Sequence, residues 1–156
     1  MPTAATLDDV RALESLLARK RRLGRELLSF DGYDRWGAQH DTPEHRAEME
    51  ADAARAQREH GEAVAQLGAL VARLRETNPG AIERWAELHC ELLRAFAASC
   101  AGADESSHAS TGAFVAREEI DGWEAVKRGE KTFVDENVYY VAIDRERYRA
   151  AFGIDP

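Results

Sequence analysis

Residues 49–74 read MEADAARAQREHGEAVAQLGALVARL, and this stretch decides the fold. Met49, Ala53, Ala56, His60, Ala63, Leu67, Leu70 and Leu74 follow one another at alternating steps of four and three. That spacing sets them all on one stripe of an α-helix, which must lie against other helices. The first half of the stripe is small, so a neighbouring backbone can come close. The second half is leucine-rich, and each fully buried leucine contributes about 1.5–3 kcal/mol. The stripe specifies a helical scaffold and no chemistry.

The remaining elements are read outward from this helix. Before it, residues 7–30 carry Leu13, Leu16, Leu23, Leu27 and Phe30 at helical spacing, with Thr6 as the expected N-cap and Gly32 as the expected stop. A loop is expected over 31–41. Thr42 then caps the second helix, with Pro43 at its first position. Asn78 and Pro79 end that helix and start a third, striped by Ile82, Trp85, His89, Leu92 and Phe96. Residues 102–112, GADESSHASTG, have no periodicity and read as a linker or mobile loop. Beyond it a short helix is expected over 118–128, stopped by Gly129. Two strands follow over 132–134 and 138–143, joined by a hairpin loop at 135–137. A last helix capped by Asp144 and closed by Gly153 ends the pattern. The expected fold is therefore mostly α. It is an antiparallel three-helix bundle (1–101), a linker (102–112) and a small helix–β-hairpin–helix appendage (113–156).

Composition narrows the function classes. The chain has 156 residues, 44% of them apolar and 32% charged, which suits a globular domain with a real core. A net charge of −8 argues against generic nucleic-acid binding. The opening MPTAATLDD carries acids where a signal peptide has a basic region and an apolar run. Cys90 and Cys100 are expected about 15 Å apart on one helix, too far for a disulfide, so a cytoplasmic location is expected.

Each chemical candidate has a structural competitor. His60 interrupts the heptad stripe and His89 sits on the third helix's stripe. In an antiparallel hairpin about Asn78 they differ in height by about 10 Å, so no shared metal site is expected. Both read as seam histidines. Arg19, Lys20, Arg21, Arg22 and Arg25 form a basic patch that can bind an anionic surface, or pair with Glu44, Glu48, Glu50 and Asp52 on the next helix. Phe30, Tyr33 and Trp36 bring aromatics to the expected first loop, beside Arg35, and such loops make recognition surfaces. His40 and Asp41 are a neighbouring imidazole–carboxylate pair that can serve acid–base work, but no nucleophile accompanies them. Phosphate loops, CxxC pairs and nucleophile elbows are absent from the sequence.

The expectation is a non-enzymatic protein–protein interaction module of adaptor, immunity or regulatory type, bacterial, needing no cofactor or metal. Its partner is expected at Tyr33, Arg35, Trp36, Tyr139 and Tyr140, and a homodimer through the first or second helix is expected as well. The alternatives are a nucleic-acid or anionic-lipid binder using the basic first helix, and a small enzyme using the His40/Asp41 loop.

Overall fold

The computed structural model describes residues 1–102, 108–135 and 144–156. The helices are α1 (Ala4–Trp36), α2 (Pro43–Thr77), α3 (Pro79–Ser99), α4 (His108–Lys127) and α5 (Arg145–Phe152), with a 3-10 turn at Ala38–His40. The protein is mostly helical, and no strand occurs among the described residues.

Helix α1 is longer than its pattern suggested at both ends. Thr3, not Thr6, caps it: the Thr3 hydroxyl accepts from the Thr6 amide at 3.1 Å. Gly32 does not stop it, because its backbone stays right-handed; positive φ occurs at Gly102, Gly129 and Gly153. The helix runs on to Trp36, which removes most of the expected loop. Gly37 follows because the Tyr33 ring occupies the space a side chain would need; a Cβ there would lie 3.1 Å from Tyr33 Cδ2.

Helix α2 follows the heptad reading. Thr42 caps it through a 3.2 Å bond from the His45 amide. Ala56, Ala63, Leu67 and Leu74 of the stripe are buried, while Met49, Ala53, His60 and Leu70 are half-buried and Val71, beside the stripe, is buried. The turn at Asn78 is pinned by its side-chain amide, which donates to Asp9 at 2.9 Å.

Helix α4 begins ten residues before the expected position 118, so the segment read as linker is helical from His108 onward. Its small residues serve packing. A Cβ on Gly112 would come within 3.1 Å of the Phe96 ring, so glycine permits the close approach of α3 and α4. Ala113 and Ala116 are buried.

The expected strand at 132–134 is irregular. Val134 packs on α4 instead: a Cβ on Gly122 would sit 2.9 Å from Val134 Cγ2. Arg75 donates to the Lys131 carbonyl at 2.5 Å, tying this segment to α2. The rest of the expected hairpin, with Tyr139 and Tyr140, lies outside the described residues. The caps around it are as read: Asp144 accepts from the Arg147 amide at 3.1 Å, and Gly129 and Gly153 have φ of 79° and 70°.

The chain forms two compact units, one of Met1–Ser15 with Gly68–Pro156, the other of Leu16–Leu67. The first, the core unit, holds the start of α1, the end of α2, and α3 to α5. Its centre is Val10, Leu13, Val71, Ile82, Trp85, Trp123, Val126 and Phe152, all at most 3% exposed. Helix α3 packs most extensively on α4 and also contacts α5. The second, the hairpin unit, is the antiparallel pair formed by the rest of α1 and α2. Its buried residues are few, among them Leu17, Leu23, Ala56, Ala63 and Leu67. The close pass of its helices falls at Gly24, where a Cβ would lie 3.9 Å from His60 Nε2.

Candidate functional site

In the core unit a carboxylate is buried at the meeting of three helices. Glu14, on α1, is fully inaccessible. It is flanked by Val10, Leu13 and Leu17, which place it on the inward face. Its Oε2 accepts from Trp85 Nε1 at 2.7 Å and is 2.6 Å from His89 Nε2, both on α3. Its Oε1 accepts from the Tyr148 hydroxyl on α5. Three hydrogen-bond partners on one carboxyl group are what its burial requires.

An aromatic cage encloses the imidazole. His89 lies flat on Trp123, with centroids 4.0 Å apart and planes 3° from parallel. Trp85 meets His89 edge-on at 6.1 Å and Trp123 at 4.9 Å. Phe152 closes the cage at 5.0 Å from His89 and 4.8 Å from Tyr148. The Trp123 indole N–H is buried and has no hydrogen-bond partner among the described residues. His89 is 5% exposed and Tyr148 likewise. This cluster ties α1, α3 and α5 together through the Glu14 carboxylate. Next to it, Cys90 is buried, and burial with the nearby Glu124 carboxylate pushes its thiol up to about 11, which keeps it protonated and unreactive. Both cysteines are free thiols.

In the hairpin unit a second carboxylate organises the turn. Asp41 accepts from the Tyr33 hydroxyl at 2.5 Å and from the Thr42 amide at 2.8 Å, and it is bonded to His45 Nδ1. The hydrogen bonds from Tyr33 and His45 hold Asp41 down at about 2. Partial burial and the bond to Asp41 push Tyr33 up to about 12, and the same carboxylate raises His45. Tyr33 also meets His45 edge-on at 6.1 Å. The imidazole paired with Asp41 is therefore His45, not His40, which is exposed. The spacing of four across the first turn of α2 was the available signal, and the adjacency of His40 hid it.

The expected partner residues divide. Tyr33 is committed to the turn. Arg35 is exposed and pairs with Asp31 at 3.3 Å along the helix. Trp36 is 78% exposed. Leu28, eight residues earlier, is 52% exposed, and Gly32 lies midway between them, where an added Cβ would meet nothing within 4 Å. Leu28, Gly32 and Trp36 thus form an open apolar stripe on α1, four residues apart each time.

The basic patch does not form one exposed face. Lys20 is 7% exposed, Arg19 and Arg21 are half-buried, and Arg22 and Arg25 are exposed. Consecutive residues on a helix point in all directions, so a run of four cations cannot line one side. His60 and His89 belong to different units. Among the described residues no three metal-ligating side chains cluster, and no helix is long and apolar enough to cross a membrane. A shallow groove of 360 Å³ runs between α3 and α5, floored by Leu88, Leu92, Ala95, Ala150 and Ala151, with Arg84, Glu91 and Arg147 along it. No family model, curated protein or solved structure matches the chain.

Proposed function

We propose that this chain is a non-enzymatic protein–protein interaction module of regulatory or adaptor type, engaging its partner through the turn-end face of the helical hairpin. One observation carries the reading: Leu28 and Trp36 are exposed together on one side of α1, across a glycine. Exposed large apolar groups that share a face mark interaction surfaces, and tryptophan is the residue most enriched at interface hot spots. Arg35 and Asp31 supply a polar flank beside them. The burial of the Glu14 cluster supports the same reading, because its imidazole and carboxylate are spent on holding helices together. Burial of Lys20 weighs against an anion-binding first helix.

Affinity capture with the tagged chain tests this. Leu28→Ala with Trp36→Ala is expected to lose the captured protein, while Arg22→Gln with Arg25→Gln retains it. Loss in the arginine variant alone, with a steep salt dependence, would transfer the function to anion binding.

A further inference from the structure

We infer that the protein seated on the Leu28, Gly32 and Trp36 stripe is a second copy of this chain, crossing antiparallel at Gly32. The inference rests on the reading of that stripe as an interaction surface and names its occupant.

The geometry is self-complementary. At 3.6 residues per turn and 1.5 Å per residue, Leu28 and Trp36 lie about 6 Å to either side of Gly32 and about 40° to either side of its direction. A two-fold axis through the glycine crossing reverses the helix, so Leu28 of each copy comes level with Trp36 of the other. The two bulky groups then sit side by side, and each fills the room beside its counterpart. The glycines meet at the crossing, where the absence of a side chain lets the backbones approach. An isologous contact demands this: one patch that fits itself.

The charges fit the same operation. Asp31 and Arg35 lie on one flank of α1, paired at 3.3 Å and both exposed. The two-fold keeps that flank on the same side and reverses its order. Asp31 of one copy then falls about 3 Å, measured along the axis, from Arg35 of the other. Each arginine can bridge its own and the opposite aspartate. A parallel arrangement in register would carry the two Asp31–Arg35 flanks to opposite sides of the contact, where they could not bridge. Two turns of helix on each side bury less than the roughly 1,200 Å² of a standard interface, so the dimer is weak and depends on concentration.

Gly32 makes the test clean. A Cβ there would have nothing within 4 Å, and replacing a mid-helix glycine favours the helix. Gly32→Leu should therefore keep or raise the melting temperature while blocking the crossing. Sedimentation velocity from about 10 µM to about 1 mM should show a monomer–dimer equilibrium in the parent, abolished in Gly32→Leu and weakened at least about tenfold in Trp36→Ala. Asp31→Arg and Arg35→Asp should each weaken self-association, and mixing the two variants should restore it as a heterodimer. A parent that remains monomeric throughout overturns the inference, as does a dimer indifferent to Gly32→Leu. If a monomeric parent still captures a different protein in a Trp36-dependent way, the interaction reading stands and only the second copy is excluded. If capture ignores Leu28 and Trp36 as well, both readings fall.

Discussion

Glu14 and Asp41 each gather a tyrosine hydroxyl and an imidazole around one carboxylate, in opposite settings. Glu14 is sealed in the core unit with Tyr148, His89 and Trp85. Asp41 sits at the surface turn of the hairpin unit with Tyr33 and His45, the imidazole about half exposed. The chemistry is nearly the same and the stakes are not. In the core, water cannot replace a lost partner, so each hydrogen bond there guards against a buried orphan. At the turn, water stands ready, and the network sets local geometry and proton affinity more than global stability.

Glu14→Ala is the largest expected effect. It leaves the Trp85, His89 and Tyr148 donors without their shared acceptor and opens a cavity among aromatics. A loss of about 3–5 kcal/mol is expected, typical of breaking a buried charged network. Urea unfolding followed by tryptophan fluorescence measures it, since Trp85 and Trp123 both border the site. Asp41→Ala, measured in the same way, should move the midpoint far less. Equal losses at the two positions would erase the contrast between them.

Tyr148→Phe sharpens the comparison within the core. The ring packing on Phe152 remains and one donor to Glu14 is removed, for a cost of about 1–3 kcal/mol. Hydrogen exchange should show the loss concentrated in α5, because Tyr148 is the polar tie between that helix and Glu14. Exchange that rises evenly through α3 and α4 would mean that α5 is held by Phe152 alone.

How far these features could be read from the chain follows from the range of the interactions behind them. The stripe ending in Leu67 and Leu74, the Asn78–Pro79 turn, the Asp144 cap and the glycine stops at 129 and 153 are all local. Each depends on spacing or on one residue's backbone, and each is found as read. Glu14 was not legible, because its partners are 71, 75 and 134 residues away. An acid on a helix between Leu13 and Leu17 reads as a solvated flank until those donors are in place. The one clue was its spacing, four from Val10 and three from Leu17. Gly32 misled for the opposite reason: a glycine stop requires a left-handed backbone, and composition cannot show that the helix carries straight through. The small residues before Ala113 hid the start of α4 because their role is close packing on Phe96, a tertiary property.

Trp36→Ala separates stability from interaction. A side chain 78% exposed contributes little to its own fold, so the unfolding midpoint should shift by less than about 0.5 kcal/mol. A larger destabilisation would mean that Trp36 packs within its own chain and is not an open contact.

The smallest effect is the pH response of the turn. Asp41 is held near 2, below its ordinary 3.8, so its contribution is present above about pH 4 and disappears as pH falls through 2. His45 is raised above its ordinary 6.5, so its contribution is present below 6.5 and disappears as pH rises through the folded value. The two windows overlap between about pH 4 and 6.5, where the turn is tied most firmly. Proton NMR should find the His45 ring titrating above 6.5 in the parent and returning toward that value in Asp41→Asn. The Tyr33 ring signals should move with it, because both side chains share the carboxylate. A His45 midpoint at or below 6.5 in the parent, or one unmoved by Asp41→Asn, would show that the turn is held by packing of Tyr33 on His45 and not by the Asp41 hydrogen bonds.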